Sequence, residues 1–509
     1  MENRKVKIQI GLAQYETGWE VLLEQIGISW NVIPDFNLVT VNEYSMVIIN
    51  KHLSIDETSN LQKFLRDGGA SLNTSSGDIG TSQTRRVSSF PPTVTESYRF
   101  CDILDIFNNC HFFPNNDIVQ WTEVGKGISA NLGIDIQTQL LSKKVIRKNF
   151  YTESKRLPNE RVVQRSKAPL RQLVTSLLEF LHHKRNLPFI HKWYFPENHE
   201  TIFTFRIDSD KGTQEQIENL YALGEKHNIP TTWFLDVKSH LNWLEYFSKF
   251  ERQEIGVHCF EHVVYPSKIL NKENFDKARA VLNKYQINAK GISAPTGAWN
   301  NQIGEAIEEL GFDYSSEFGY DYDNLPSFPL LHDSFLSVLQ LPIHPICIGS
   351  LLRTHSSNTE MISYFISVIE NKIIANEPVC LYHHPTHMHN DVFEEVFNYI
   401  NQAGIQKFSY SQYAKWWKKR STCHFDILVD ETKVYCKNGE SADDVWLRIS
   451  LPDGNEAIMS TDNDIFLDEL ANTAKRKFPE CSKDIMRTRS FDGRHYIQNA
   501  FDWWIKVTE

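Results

Sequence analysis

Cysteine is scarce and shows no spacing pattern in this sequence. Only 8 of its 509 residues are Cys, and no two of them form a Cys-x-x-Cys pair. A chain of this length with so few cysteines has neither a disulfide framework nor a zinc-finger framework. We therefore expect free thiols in a reducing compartment.

The sequence also lacks long apolar runs. No stretch approaches the roughly 18–20 consecutive apolar residues that cross a bilayer. Residues 1–11 contain no apolar signal-peptide core, and they predict a first strand instead. These two absences predict a cytoplasmic protein without a transmembrane segment.

Positive charge is outnumbered by negative charge. The chain has 53 Lys and Arg against 64 Asp and Glu, which gives a formal net charge of −11 and a sequence pI of about 6.0. This balance disfavours nucleic acid as a partner. A hydrophobic content of 41% is ordinary for a globular protein. At 59.2 kDa the chain exceeds one core, so we expect two to four domains.

The N-terminal part of the chain alternates between strand and helix patterns. Ser54 is followed three residues later by Glu57, which is the spacing of a helix capping box. The same helix is expected to end at Gly68 and Gly69. Such alternation predicts a small open α/β sheet.

Residues 1–150 resemble the amidotransferase-like, flavodoxin-type α/β domains. No cysteine occupies a strand-to-helix turn in this segment, so we expect a docking or scaffolding domain without a catalytic Cys. Residues 75–92 are expected to form an exposed loop. Residues 151–200 are expected to form a connecting helical segment, because apolar residues recur at helical spacing from 170 to 182.

From residue 201 to 420, strand and helix patterns alternate repeatedly, and each strand ends in polar residues. In closed β/α barrels, the carboxyl ends of the strands form the face where chemistry collects, and about 220 residues is a usual barrel size. After residue 420, short strand-like runs predict a small β-rich module over 421–509. The predicted fold is therefore a multidomain α/β protein with a central distorted (β/α) barrel.

Two stretches of this central segment contain residue types that can serve as metal ligands. Asp208 and Asp210 are two residues apart in an extended run, so they share one face of a strand. His258 and His262 are four residues apart, which predicts one face of a helical turn. Two imidazoles and one carboxylate suit a catalytic zinc or similar divalent ion with an open position. The second carboxylate is then free to act as a base.

These stretches, together with residues 229–234 (Ile-Pro-Thr-Thr-Trp-Phe) and 381–385 (Leu-Tyr-His-His-Pro), resemble the polysaccharide deacetylase family. The resemblance to these NodB-homology carbohydrate esterases covers residues 200–420, and the four blocks occur in family order. It implies a distorted (β/α) barrel that removes N- or O-linked acetyl groups from sugars with a divalent metal. Zn²⁺ is the expected ion, with Co²⁺, Ni²⁺ or Mn²⁺ as alternatives.

The resemblance also implies roles for individual residues. The implied metal ligands are Asp210, His258 and His262. Asp208 is the implied base. The general acid is His384 or its neighbour His383, and His384 is preferred because it directly precedes a proline.

A further group is expected around the substrate and its oxyanion, namely Pro295, Thr296, Arg206 and Trp299. The resemblance implies that the backbone N–H of Thr296 completes an oxyanion pocket. Trp299 either stacks on a sugar ring or packs within the barrel. Ser293 replaces the family arginine that orients the base, and Arg206 is the candidate substitute because it shares the strand face of Asp208.

Three functions follow from this reading. The first is a metal-dependent hydrolase that removes an acetyl group from a carbohydrate, such as a precursor in surface-glycan synthesis. The second is a hydrolase of cyclic amides or imides on the same site, which Ser293 favours. The third is an inactive glycan-binding scaffold, which Asp208 disfavours because a binder needs no base. The expected partner is an acetylated carbohydrate or glycan precursor, and the sequence identifies no protein partner.

Overall fold

The computed structural model describes most of the chain, namely residues 5–74, 119–150, 156–164, 166–438, 443–461 and 465–470, with residues 497 and 500. The chain divides into two compact units. The first comprises Met1–Ser142, Pro169–Asn198 and Lys419–Glu480. The second comprises Lys143–Ala168, His199–Lys418 and Cys481–Glu509. The loop expected over residues 75–92 lies outside the described residues.

The second unit contains an eight-stranded parallel sheet. Its strands, in chain order, are β1 (Ile202–Asp208), β2 (Thr232–Asp236), β3 (Glu254–Cys259), β4 (Gly291–Ile292), β5 (Tyr314–Ser315), β6 (Leu339–Gln340), β7 (Val379–His383) and β8 (Gln406–Lys407). The order across the sheet is β6-β5-β4-β3-β2-β1-β7, and β8 pairs with the start of β1.

The two edges of this sheet approach each other. The backbone N–H of His344, just beyond β6, donates to the carbonyl of Cys380 in β7 at 2.8 Å. The sheet is therefore curled, with all of its strand pairs parallel. This arrangement confirms the predicted α/β fold class with a distorted (β/α) barrel.

Helices connect the strands of this unit. The α-helices are Gln214–Lys226, Lys268–Lys284, Asn301–Leu310, Ile348–Leu352, Asn358–Ala375, Asn390–Gln402 and Tyr410–Thr422, and the 3₁₀ turns are Val237–His240, Leu244–Lys249, Pro295–Gly297 and Pro385–His387. The first helix begins at a capping box between Thr213 and Gln216. Two antiparallel pairs accompany them, Val145–Lys148 with Glu160–Val163 and Leu330–Leu331 with Ser334–Phe335.

Strand alternation explains why polar residues line the inner side of β1. Phe205 packs against Phe393 of a surrounding helix, with ring centroids 4.7 Å apart. Successive side chains of a strand point to opposite faces. Arg206 and Asp208 therefore lie on the same inner face, at the carboxyl end of the strand.

The first unit contains a six-stranded sheet. Its order is Trp30–Val32, Ile10–Leu12, Met46–Ile49, Ala70–Asn73, Gly127–Leu132 and Val119–Val124, with only the last pair antiparallel. The order of its first four strands is that of flavodoxin-like sheets. Its helices are Thr17–Ile26, Ile55–Arg66, Ile136–Leu141 and Ala168–Lys184, with a 3₁₀ turn at Phe36–Leu38. Ser54 and Glu57 form the predicted capping box of the second helix.

The described part of the first unit also contains two smaller antiparallel sheets. One contains Val6–Lys7, Phe425–Val429, Lys433–Asn438 and Ile465–Phe466, and the other contains Phe189–Lys192, Leu447–Ser450 and Glu456–Met459. A 3₁₀ turn, Leu467–Leu470, follows. The division of the chain at residues 150, 200 and 420 stays a prediction. Across the described ranges, no helix combines the length and apolar character needed to cross a membrane.

Candidate active site

Three side chains converge beyond the carboxyl ends of β1 and β3. Oδ1 of Asp210 lies 3.2 Å from Nε2 of His258 and 3.3 Å from Nε2 of His262. All three atoms are buried, and none has a hydrogen-bond partner among the residues that the structure describes. Buried polar atoms of a folded protein are normally paired, so three that converge unpaired indicate a ligand. One carboxylate and two imidazoles fit a divalent cation.

The electrostatics of Asp210 suit this interpretation. Burial raises the pKa of its carboxyl, but the neighbouring His258 and His262 outweigh burial and hold this pKa well below the usual value. The carboxyl is therefore an anion at neutral pH. A negative oxygen between two imidazole nitrogens is an arrangement that attracts a cation.

The local geometry of the two histidines differs from the sequence prediction. His258 lies within β3, and His262 lies in the bend that follows. The predicted helical turn is wrong, because the chain stays paired with β2 as far as Cys259. Nδ1 of His258 donates to the carbonyl of Ser293 at 2.6 Å, which leaves the Nε2 lone pair free to bind a metal.

Asn274 holds the bend that carries His262. Its Oδ1 accepts from the backbone N–H groups of Phe260 at 3.0 Å and Glu261 at 2.8 Å. Its Nδ2 donates to the carbonyls of Glu261 at 2.8 Å and Val263 at 3.2 Å. The sequence analysis missed this residue. Its only signal is a polar side chain on the buried face of the helix Lys268–Lys284.

Asp208 is buried beside this triad and is paired with Arg206. Nε and Nη2 of the guanidinium donate to the two carboxylate oxygens, each at 2.6 Å. Nη1 of Arg206 donates to the carbonyl of Ser316 at 2.6 Å. Burial raises the pKa of Asp208, but Arg206 and His258 outweigh burial and lower it. Asp208 thus binds a guanidinium, that of Arg206, although Ser293 stands where the resemblance implies an arginine.

His384 faces the carboxylates, and His383 does not. Nε2 of His384 lies 3.6 Å from Oδ2 of Asp210 and 4.0 Å from Oδ2 of Asp208. Burial lowers the pKa of His384, but Cys347, Asp210 and Asp208 together raise it to about 9. His383 is completely buried, with its ring 4.9 Å from that of Phe393. Burial lowers its pKa well below the usual value, so this ring is neutral.

A second group of potential metal ligands lies on the other side of His384. Among the described residues, Cys347, His384 and His387 offer ligand atoms within 4.8 Å of one another. Burial raises the pKa of the Cys347 thiol, but the two imidazoles outweigh burial and hold this pKa well below the usual value. The sequence analysis missed this group, because nothing in the residue spacing connects Cys347 with the later histidines.

The remaining expected residues follow β4. Pro295 is buried, and Thr296 is exposed in a left-handed backbone conformation with φ of 59°. Both lie close in sequence to Ser293, whose carbonyl binds His258. Trp299 is only 4% exposed and lies edge-on to Tyr320 at 5.2 Å. The indole therefore packs within the barrel and offers no open face to a sugar ring.

A curled parallel barrel with carboxylates and imidazoles at its strand ends is an arrangement found in metal-assisted hydrolases. The sequence matches no protein-family model and no curated protein. Solved structures match part of this chain.

Three of these structures each match less than half of this chain. The probable polysaccharide deacetylase of Pseudomonas aeruginosa PAO1 has 14% identity and a TM-score of 0.38, with 43% of this chain and 92% of that chain covered. Puue allantoinase has 12% identity and a TM-score of 0.38, with 44% and 93% covered. A CE4 family pseudoenzyme from Bacillus anthracis has 12% identity and a TM-score of 0.32, with 42% and 65% covered.

Proposed function

We propose that this protein is a metal-dependent hydrolase that removes an N- or O-linked acetyl group from a carbohydrate, such as a precursor of a surface glycan. One observation carries the proposal. Three unpaired ligand atoms of Asp210, His258 and His262 converge beside an ionised carboxylate, Asp208, and an imidazole, His384. A ligand set, a base and an acid are the groups that hydrolysis of an acyl bond requires.

Asp210, His258 and His262 would hold the divalent ion, with Zn²⁺ preferred for two imidazoles and one carboxylate. When bound, such an ion supplies Lewis acidity towards the acyl oxygen and makes water more acidic. Asp208 accepts the proton of the attacking water. His384 gives a proton to the departing nitrogen or oxygen, because an amine leaves poorly unless it is protonated. The products are acetate and the free amino or hydroxyl group.

Arg206 has a positioning role in this proposal. Its two hydrogen bonds hold both oxygens of Asp208 in one orientation, as a bidentate guanidinium does. The bond from Nη1 to the Ser316 carbonyl fixes the guanidinium in turn. We infer that Arg206 takes the role of the family arginine whose position Ser293 occupies. Arg206 lies on the same strand as the proposed base.

Acetate release from N- and O-acetylated oligosaccharides tests the proposal. The protein is assayed as purified, after chelation, and after return of Zn²⁺, Co²⁺, Ni²⁺ or Mn²⁺. We expect chelation to abolish release and one of these ions to restore it. Asp208→Asn should lower kcat by roughly 10²–10⁴-fold, whereas Asp313→Asn, an exposed control in the same unit, should not. Turnover that survives chelation would contradict the metal-dependent reaction.

A second candidate is hydrolysis of a cyclic amide or imide on the same residues. The observation that favours it is Ser293, which stands where the resemblance implies an arginine. The same preparations are therefore given small cyclic imides, and ring opening is measured. Ring opening without acetate release would select this candidate. Glycan binding without either reaction would instead indicate a scaffold.

A further inference from the structure

We propose that Cys347, His384 and His387 form a second cation site. It has a sulfur ligand, which the site formed by Asp210, His258 and His262 (the Asp210 centre) lacks. Their potential ligand atoms lie within 4.8 Å of one another. This proposal goes beyond the hydrolysis proposed above, because it concerns binding and holds for an inactive protein too.

The local backbone brings the two histidines together. Pro385–His387 is a 3₁₀ turn, and the N–H of His387 donates to the carbonyl of His384 at 3.0 Å. A 3₁₀ helix has three residues per turn, so side chains three apart lie above one another. The two ring centroids are accordingly 4.8 Å apart.

Cys347 reaches the same point from another element. It immediately precedes the helix Ile348–Leu352 and is 3% exposed. A side chain at Gly349, in the first turn of this helix, would collide with the His387 ring. Glycine therefore lets the imidazole lie directly against the helix that follows the thiol.

The imidazoles have atoms available for a ligand. Nδ1 of His384 and Nδ1 of His387 are both buried, and neither has a hydrogen-bond partner within the described part of the chain. Nε2 of His384 is on the side of Asp210, at 3.6 Å from Oδ2. Nδ1 is thus the atom of His384 that remains for the second site. Unpaired buried nitrogens are costly, and a bound cation would satisfy both.

The chemistry of the donors selects the class of ion. A thiolate with two imidazoles prefers Zn²⁺ and similar transition metals to Mg²⁺ or Ca²⁺, which take oxygen ligands. Negative charge also lies nearby. The Ser350 hydroxyl is 4.0 Å from Sγ of Cys347 and donates to Glu160 at 2.9 Å. We therefore assign the site to zinc, with Co²⁺ as its spectroscopic probe.

Cobalt titration of the full, metal-free chain tests the site. Bound cobalt is counted by elemental analysis, and thiolate-to-cobalt charge transfer is followed in the near ultraviolet. Aspartate and histidine ligands cannot produce this band, so it reports Cys347 and not the Asp210 centre. We expect the wild type to show the band and to bind one more cobalt per chain than Cys347→Ser, which should lose the band.

Three further variants make the result specific. Cys380→Ser removes another buried thiol of the same unit and should keep the band. His387→Gln should lose it while the circular dichroism spectrum is unchanged, which separates loss of the site from unfolding. Asp210→Asn should keep the band even if the Asp210 centre fails. A wild type without the band at saturating cobalt, or a band that survives Cys347→Ser, would overturn the proposal.

Discussion

At the scale of single residues, the pair formed by Arg206 and Asp208 is the feature that most directly decides reactivity. Both residues come from β1 and are two positions apart, so strand geometry alone puts them on one face. The pair is buried, with Arg206 fully enclosed. The proposed base and the group that orients it therefore come from one strand, and the Ser316 carbonyl holds the guanidinium in place.

Replacement of Arg206 should change both the stability and the pH profile. Arg206→Gln leaves Asp208 buried without its cation, which costs about 3–5 kcal/mol. The pKa of Asp208 then rises, because burial raises it and the guanidinium no longer opposes burial. We expect the acid limb of kcat/KM to move to higher pH. Arg252→Gln, whose side chain is 73% exposed, should leave both unchanged. An unmoved acid limb would exclude Arg206 as the partner of the base.

The two adjacent histidines should respond differently to the same substitution. His384→Asn removes the ring beside Asp208 and Asp210, so kcat should fall by roughly 10²–10⁴-fold. His383→Asn changes a ring packed on Phe393, so it should mainly lower the free energy of unfolding. Steady-state kinetics and urea unfolding of both variants check this. Equal losses of kcat would show that the acid is assigned to the wrong ring.

At the scale of secondary-structure elements, the bend after β3 needs support because only His258 lies on a strand. His262 lies beyond the last residue paired with β2. The four hydrogen bonds of Asn274 replace strand pairing there. A residue of the helix thus fixes the bend that carries the proposed ligand His262.

Loss of this support should weaken metal binding more than it changes the fold. Asn274→Ala leaves two N–H groups and two carbonyls of the bend without their partner. We expect the affinity for Zn²⁺ at the Asp210 centre to fall by roughly 10–100-fold, as it does when groups that orient a ligand are removed. Competition with a chromophoric chelator measures it. Asn283→Ala, exposed on the same helix, is the control and should bind zinc normally.

The fold and most of the candidate site residues can be predicted from the sequence, but the local geometry of the site cannot. Asp208, Asp210 and His258 are predictable because strand ends bearing polar residues meet at one face of a barrel. His262 reaches the site through a bend that spacing does not encode. Cys347 is not predictable either, because only tertiary packing brings it to His384.

At the scale of the whole molecule, the chain is not a simple succession of segments. The unit that holds the flavodoxin-like sheet also contains Lys419–Glu480. Within it, Val6–Lys7 pairs with Phe425–Val429, so the first described strand depends on residues near the other end. Unfolding of this unit therefore involves segments that are far apart in sequence.

Acid should destabilise this unit through His182. Its Nδ1 donates to the Leu178 carbonyl at 2.7 Å, and burial lowers its pKa from 6.5 to about 3. The unfolded chain gains a proton near pH 6.5 and the folded chain does not. The contribution of His182 to the free energy of unfolding is thus complete above pH 6.5. It falls towards pH 3, by at most about 1.4 kcal/mol per pH unit.

Urea unfolding between pH 7 and pH 4 checks this dependence. His182→Gln should be less stable at pH 7, because a buried contact is lost, but its stability should fall less steeply on acidification. His52→Gln, at an exposed position, should keep the slope of the wild type. An equally steep slope in His182→Gln would show that other groups are responsible.

His384 belongs to the cluster with Cys347 and His387, and it is also the proposed acid beside Asp208 and Asp210. A zinc ion bound by Cys347, His387 and Nδ1 of His384 would replace the proton that makes this ring an imidazolium. The remaining Nε2–H would then be a weaker acid for the leaving group. The metal that activates the protein at low concentration should then inhibit it in excess. The rate should rise, pass through a maximum and decline as free zinc increases. The declining part should disappear in His387→Gln, which makes zinc supply itself a means of control.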